Sequence, residues 1–177
     1  MIYFTADPHF GHANIVKMCG RPFEDIEEMN EALITAWNNR VSGNDTVYIV
    51  GDMFFRCEDA ESILKRLKGK KRLIVGNHDG SWVGKVELGR FFISVDHYLE
   101  ISDGAHALTL CHYPLLTWKH AKKSYMIHGH SLSKQQNNGI LPKRSIRNQL
   151  QEDYSDDQIS IKEYVDPFTG QPVQEGK

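Results

Sequence analysis

Short apolar runs recur along this chain, and each breaks off at a residue type that can ligate a metal. Ile2 to Ala6 runs into Asp7-Pro8-His9, Thr46 to Val50 into Gly51-Asp52, and Arg72 to Val75 into Gly76-Asn77-His78-Asp79. Short, mostly apolar runs without strict alternation fit strands covered on both faces, as in a parallel sheet. Between the first two runs, Glu24 to Arg40 carries Ile26, Met29, Leu33, Ile34 and Trp37 at helical spacing. Its acidic residues fall in the first turn, where the helix dipole favours them. His12 to Met18 predicts a shorter helix closed by Cys19-Gly20, and Glu58 to Lys68 predicts another. Strand, polar end and helix, repeated three times, predict an α/β layered fold.

The second half reads differently. Phe91 to Ile101 and Ala105 to His112 are β-rich runs around Ser102-Asp103-Gly104, a hairpin signal. Ser124 to Ile127 predicts a strand running into His128-Gly129-His130, and Gln158 to Val165 a last one. Ser131 to Asp157 is polar, with Lys134, Lys143, Arg144 and Arg147 ahead of Glu152, Asp153, Asp156 and Asp157. It reads as a surface loop with a short helix over Ser145 to Gln151. Residues 1–166 are expected to form one domain and 167–177 a frayed tail, a size that allows a substantial core.

Composition narrows the function. The net charge of -2 disfavours nucleic acid as the main partner, since phosphate-backbone binders usually carry a basic excess. Cys19, Cys57 and Cys111 are odd in number and form no CxxC pair, which argues against a disulfide framework and for reduced thiols. The N-terminus has no basic region followed by a long apolar stretch, and no run reaches the length of a membrane span. A cytoplasmic protein without a membrane partner is expected; the oligomeric state is not legible.

Binding sites of layered α/β folds gather at the carboxyl ends of strands. Residues distant in sequence are therefore expected to converge in one cleft. Carboxylate, imidazole and amide oxygen suit manganese, iron or zinc. A carboxylate can bridge two such ions about 3.5–4 Å apart, and the pair can activate water for attack at phosphorus. Taken singly, Asp-x-His, Gly-Asp and a histidine after a strand are common; the ordered set, each member at a strand end, is what carries meaning.

That set, Asp7-x-His9, Gly51-Asp52, Gly76-Asn77-His78-Asp79, His112 and Gly129-His130, resembles the signature of the calcineurin-like metallophosphoesterases over residues 1 to about 132. His9-Phe10-Gly11-His12, Arg21-Pro22-Phe23 and Cys111-His112-Tyr113-Pro114-Leu115 resemble a subgroup of short bacterial and phage members. The resemblance implies a sandwich of two mixed sheets flanked by helices. It implies two divalent ions, manganese foremost, with iron, nickel, zinc or magnesium as alternatives. Asp7 and His9 would hold the first, Asp52 would bridge both, and Asn77, His112 and His130 would hold the second. His78 would contact the phosphate and serve the leaving oxygen, with Asp79 orienting its ring. A metal-bound hydroxide would attack a phosphomonoester or phosphodiester of a small molecule or nucleotide.

The sequence departs from the family motif Gly-His-x-His at Leu132, which stands where a second histidine is expected. Another register pairs His128 with His130 and puts Ile127 in the glycine's place. Leu132 also supports an alternative function, a catalytically impaired scaffold on the same fold. His12 and Arg21, close in sequence to the first motif, are candidates for contacting the substrate phosphate. Trp37 reads as core, and Trp82 and Trp118 as packing residues rather than a stacking wall.

Overall fold

The computed structural model describes residues 1–130 and a two-residue strand, Ser145–Ile146. In chain order the elements are β1 (Ile2–Thr5), α1 (Ala13–Met18), α2 (Ile26–Arg40), β2 (Thr46–Val50), α3 (Ala60–Arg66), β3 (Lys70–Ile74), β4 (Phe92–Asp96), β5 (Tyr98–Ser102), β6 (Ala107–Cys111), β7 (Ser124–Ile127) and β8 (Ser145–Ile146). One sheet has the order β1-β2-β3-β4, with every pair parallel. The other has the order β5-β6-β7-β8, antiparallel only at the β5–β6 hairpin. The predicted α/β fold of two sheets flanked by helices is the one observed, except that among the described residues only the second sheet is mixed; the first, also expected to be mixed, is parallel throughout.

Strand alternation builds both cores. Val47, Ile49 and Leu73 point to one face, where they pack with Ile34, Trp37, Ile63 and Leu64 of the helices. Phe4, Tyr48, Val50 and Ile74 point to the other and meet Leu108, Leu110 and Ile127 of the second sheet. β1 and β2 are accordingly apolar at nearly every position, whereas β3 opens with Lys70, Lys71 and Arg72 and the edge strand β4 alternates in burial. Each apolar side chain, when fully buried, contributes roughly 1.5–3 kcal/mol by removal from water. Asp25 caps α2 by accepting from the Glu28 N–H at 2.8 Å. Trp37 is core, as expected, with its indole N–H on the Lys68 carbonyl at 2.9 Å.

Three expectations change. The run Phe91 to Ile101 is not one strand: β4 joins the first sheet beside β3, and after His97 the chain enters the second sheet as β5. Composition marks these residues as strand formers but does not say which strand each half will pair with. The third helix of the repeat is replaced by 3₁₀ turns at Asp79–Ser81, Val83–Lys85 and Leu88–Arg90. Gly80, Gly84 and Gly89 fall inside them, where glycine weakens an α-helix. Ser145–Ile146, expected to begin a helix, pairs in parallel with Met126–Ile127, and that ladder outweighs a weak local propensity. The predicted strand at Gln158 to Val165, the tail 167–177, Leu132, Lys134, Lys143, Arg144 and Arg147 lie outside the described residues.

Candidate metal centre

Parallel pairing sends the ends of β1, β2 and β3 to one edge of the first sheet. Backbone bonds continue past the strands and lock the first two loops together: Asp7 N–H to Gly51 O at 3.0 Å, His9 N–H to Asp52 O at 3.1 Å, and Phe10 N–H to Met53 O at 2.9 Å. Asp7, His9, Asp52 and His130 all have left-handed backbones, with φ of 54°, 55°, 54° and 64°. Such residues cost about 1–3 kcal/mol each and persist where the surroundings over-determine them, which is typical of functional sites.

The second sheet approaches the same edge. His112 follows β6 and lies against Gly51, whose φ of +83° and missing side chain make room for the ring. Gly129 follows β7 and passes close to Asp7; a Cβ there would lie 2.7 Å from Asp7 Oδ2 and 3.0 Å from Ala6 Cβ. The next residue, His130, donates its N–H to the Asp7 carboxylate at 3.1 and 3.2 Å. The close approach at Gly129 matches the register in which Gly129-His130 is the Gly-His pair. His128 is buried, with Nδ1 2.9 Å from the Gly129 carbonyl.

The side chains converge. Asp7, Asp52 and His112, all buried, place one atom each within 4.8 Å of one another. Asp52 Oδ2 is the focus of three imidazoles: His112 Nε2 at 3.5 Å, His78 Nε2 at 3.8 Å and His9 Nε2 at 3.9 Å. Its Oδ1 is fixed by the His78 N–H at 2.8 Å. Asn77 Oδ1 meets His112 Nε2 at 2.9 Å and His130 Nδ1 at 2.7 Å. The Val50 carbonyl, 3.0 Å from His112 Nδ1, can only accept, so that nitrogen carries a hydrogen and Nε2 faces the cluster.

Burial pushes His9 down to about 3, against the pull of Asp52, and so keeps its ring neutral, the form that ligates metal. Burial also works to raise Asp52, but His112 and the His78 N–H outweigh it and hold the carboxylate below its ordinary range. For His112 burial works downward, yet Asp52 and the Val50 carbonyl prevail and raise it. Burial, with His112 next, lowers His130.

Both ring nitrogens of His9 are buried without a hydrogen-bond partner. Leaving such groups unmatched costs free energy, and a cation beside Asp7 and Asp52 would satisfy one of them. The donor set of carboxylates, imidazoles and an amide oxygen fits a divalent ion on the same grounds.

Two expected roles are revised. Asp79 was assigned to the ring of His78. Its buried carboxylate instead takes the N–H groups of Gly76 (2.8 Å), Asp52 (2.9 Å) and Met53 (2.9 Å) and the Trp82 indole (2.8 Å). It staples the loop after β3 to the loop after β2. Trp82 is thereby a packing residue, as expected, and so is Trp118, bonded to Ser124 Oγ at 2.9 Å. Arg21 turns from the cleft: its guanidinium donates to the carbonyls of Pro8 (2.8 Å) and Asp7 (3.0 Å). His12 stays beside the site, its ring 5.6 Å from that of His9.

Arg21→Ala is accordingly expected to weaken divalent-ion binding about ten-fold, as loss of a group supporting a ligand does. Calorimetric titration of chelator-stripped protein reads this. A raised KM with unchanged metal affinity would return Arg21 to the substrate.

Sequence reasoning missed Phe55, Arg56 and Tyr113. Phe55 packs on His12 (4.2 Å between ring centres) and His78 (4.9 Å), and the Arg56 guanidinium lies 5.2 Å from the Phe55 ring. Tyr113 packs on His112 and His130. The available signal was their place in the chain, within a few residues of Asp52 or next to His112.

Two facing sheets whose loops bring carboxylates, imidazoles and an amide together, buried at Asp7, His9, Asp52 and His112 and open at Asn77 and His130, define a class of layered α/β proteins suited to hold divalent ions. Within it, the chain belongs to the calcineurin-like phosphoesterase family, whose model matches residues 1–171. An uncharacterised protein of Methanocaldococcus jannaschii is 36% identical over 132 residues, spanning 73% of this chain and 68% of that protein. The gene 66 protein of Mycobacterium phage D29 is 27% identical over 162 residues, 75% of this chain and 79% of its own. A solved structure of a protein of unknown function from Aquifex aeolicus superposes with a TM-score of 0.63 at 25% identity, covering 83% of this chain and 88% of that one. No helix among the described residues is long and apolar enough to cross a membrane.

Proposed function

We propose that the chain is a divalent-metal-dependent hydrolase of phosphomonoesters or phosphodiesters, with Asp7, His9, Asp52, Asn77, His112 and His130 holding two ions. The observation that carries this reading is the convergence of His9, His78 and His112 on one oxygen of Asp52. When bound, a divalent pair supplies Lewis-acid charge and an activated water. The protein's part is positioning. Asp52 keeps its charge at the centre, and Asn77 ties His112 to His130. Asp79 and Arg21 hold the loops that carry Asp52 and Asp7. His78 is half-exposed beside the cluster, with its backbone fixed on Asp52 Oδ1. In this reading it would meet a phosphoryl oxygen or protonate a departing alkoxide. His12 borders the same mouth.

The competing reading, an impaired scaffold, rests on Leu132. The two separate when chelator-stripped protein is supplied with manganese, nickel, iron, zinc or magnesium and offered an aryl phosphodiester and an aryl phosphomonoester. Manganese is expected to restore hydrolysis at least about 100-fold over the stripped protein, in line with the several kcal/mol a catalytic ion contributes. Tight ion binding without turnover under any of the five metals would favour the scaffold. The ratio of the two esters assigns the substrate class.

A further inference from the structure

The mouth of the centre has two unlike rims. On one, Phe55 is already engaged by His12, His78 and Arg56. That rim carries one guanidinium and two imidazoles, and its aromatic ring serves as their support. On the other, Tyr113 follows His112 directly, with its ring centre 5.1 Å from His112 and 4.8 Å from His130. Tyr113 is nevertheless 44% exposed, and Leu116 in the same loop is 79% exposed. No charged side chain occurs from Tyr113 to Trp118, and the next residue, Lys119, is paired with Glu100 at 2.6 Å. The loop is held in place by Leu115 N–H on Met126 Sδ and by Trp118 on Ser124.

From this asymmetry we infer that Tyr113 is a substrate-contacting residue that stacks on the base of a nucleoside phosphodiester. The inference rests on the phosphoesterase reading and deepens it. An uncharged rim with an exposed ring suits a flat organic group better than a further phosphate. The rim with Arg56, His12 and His78 suits the phosphate's free oxygens. Stacking of a base on an aromatic side chain needs only a ring face and tolerates any base. A diester fits because one ester group can leave past His78 while the other lies over Tyr113.

The test uses two diesters with one leaving group: the para-nitrophenyl ester of thymidine 5′-phosphate and methyl para-nitrophenyl phosphate. The manganese-loaded wild type is expected to prefer the nucleoside ester by roughly ten-fold or more in kcat/KM, the size of one stacked base. Tyr113→Ala and Tyr113→Leu should collapse that ratio, and Tyr113→Phe should keep it. Equal losses on both esters would make Tyr113 a positioning residue for His112 and His130 and overturn the proposal. So would a wild type with no preference. If neither ester is hydrolysed, the phosphoesterase reading fails. Stacking is then judged by upfield shifts of the base protons of thymidine 5′-phosphate in NMR: shifts lost in Tyr113→Ala uphold it, and no shift in the wild type sinks it.

Discussion

Asp52→Asn is expected to lower the proposed metal-dependent phosphoester hydrolysis by at least about three orders of magnitude while the fold survives. The substitution keeps shape and removes charge. Oδ1 can remain an acceptor for the His78 N–H, at 2.8 Å in the wild type. The position of Oδ2, on which His9, His78 and His112 converge, would lose its negative charge or present an N–H₂ to imidazoles. On the proposed reading Asp52 would bridge the two ions and hold them together. Losing several kcal/mol of charge stabilisation corresponds to this many decades of rate. Circular dichroism checks the fold, and calorimetry should count fewer ions bound. Activity within ten-fold of wild type would remove Asp52 from the centre.

Gly51→Ala is the larger perturbation of structure, although it adds one methyl group. The new Cβ would collide with His112 Nδ1, lie 2.5 Å from His112 Cγ and 2.9 Å from Gly76 Cα, and sit on a backbone at φ +83°. Left-handed backbone costs a residue with a side chain roughly 1–2 kcal/mol, and overpacking a well-filled site costs roughly 1–3 kcal/mol more. The ring cannot yield freely, since Val50 O holds Nδ1 and Asn77 holds Nε2. The expected outcome is a loss of about 2–5 kcal/mol in chemical denaturation together with loss of tight metal binding. A variant as stable as wild type, with normal ion affinity, would show that the ring and Gly51 are not in contact.

Much of this was legible because burial writes itself into strands. The apolar runs at β1 and β2 fitted strands covered on both sides, which puts the polar residues that follow them at an edge. The convergence of Asp7, Asp52 and His112 follows from that rule. Arg21 and Asp79 were misread for a shared reason: both spend their side chains on backbone groups, and backbone partners leave no mark in a sequence. The switch of sheet at His97 was hidden because β propensity is the same whichever strand becomes the partner. Tyr113 stood in the motif Cys111-His112-Tyr113-Pro114-Leu115 but received no role, because a motif does not separate packing from presentation.

The placement of the centre on the seam between the two sheets bears on how the chain matures. Asp7, Asp52 and Asn77 come from the ends of β1, β2 and β3, while His112 and His130 arrive with β6 and β7. The β1–β2 pairing already joins residues 44 positions apart, as Ile2 with Thr46, and such distant pairings are slow to form. The candidate ligands span the chain from residue 7 to residue 130, so on the proposed reading the ion site would close only after His130 has left the ribosome and the second sheet has docked. Capture of metal would then be a late step of maturation.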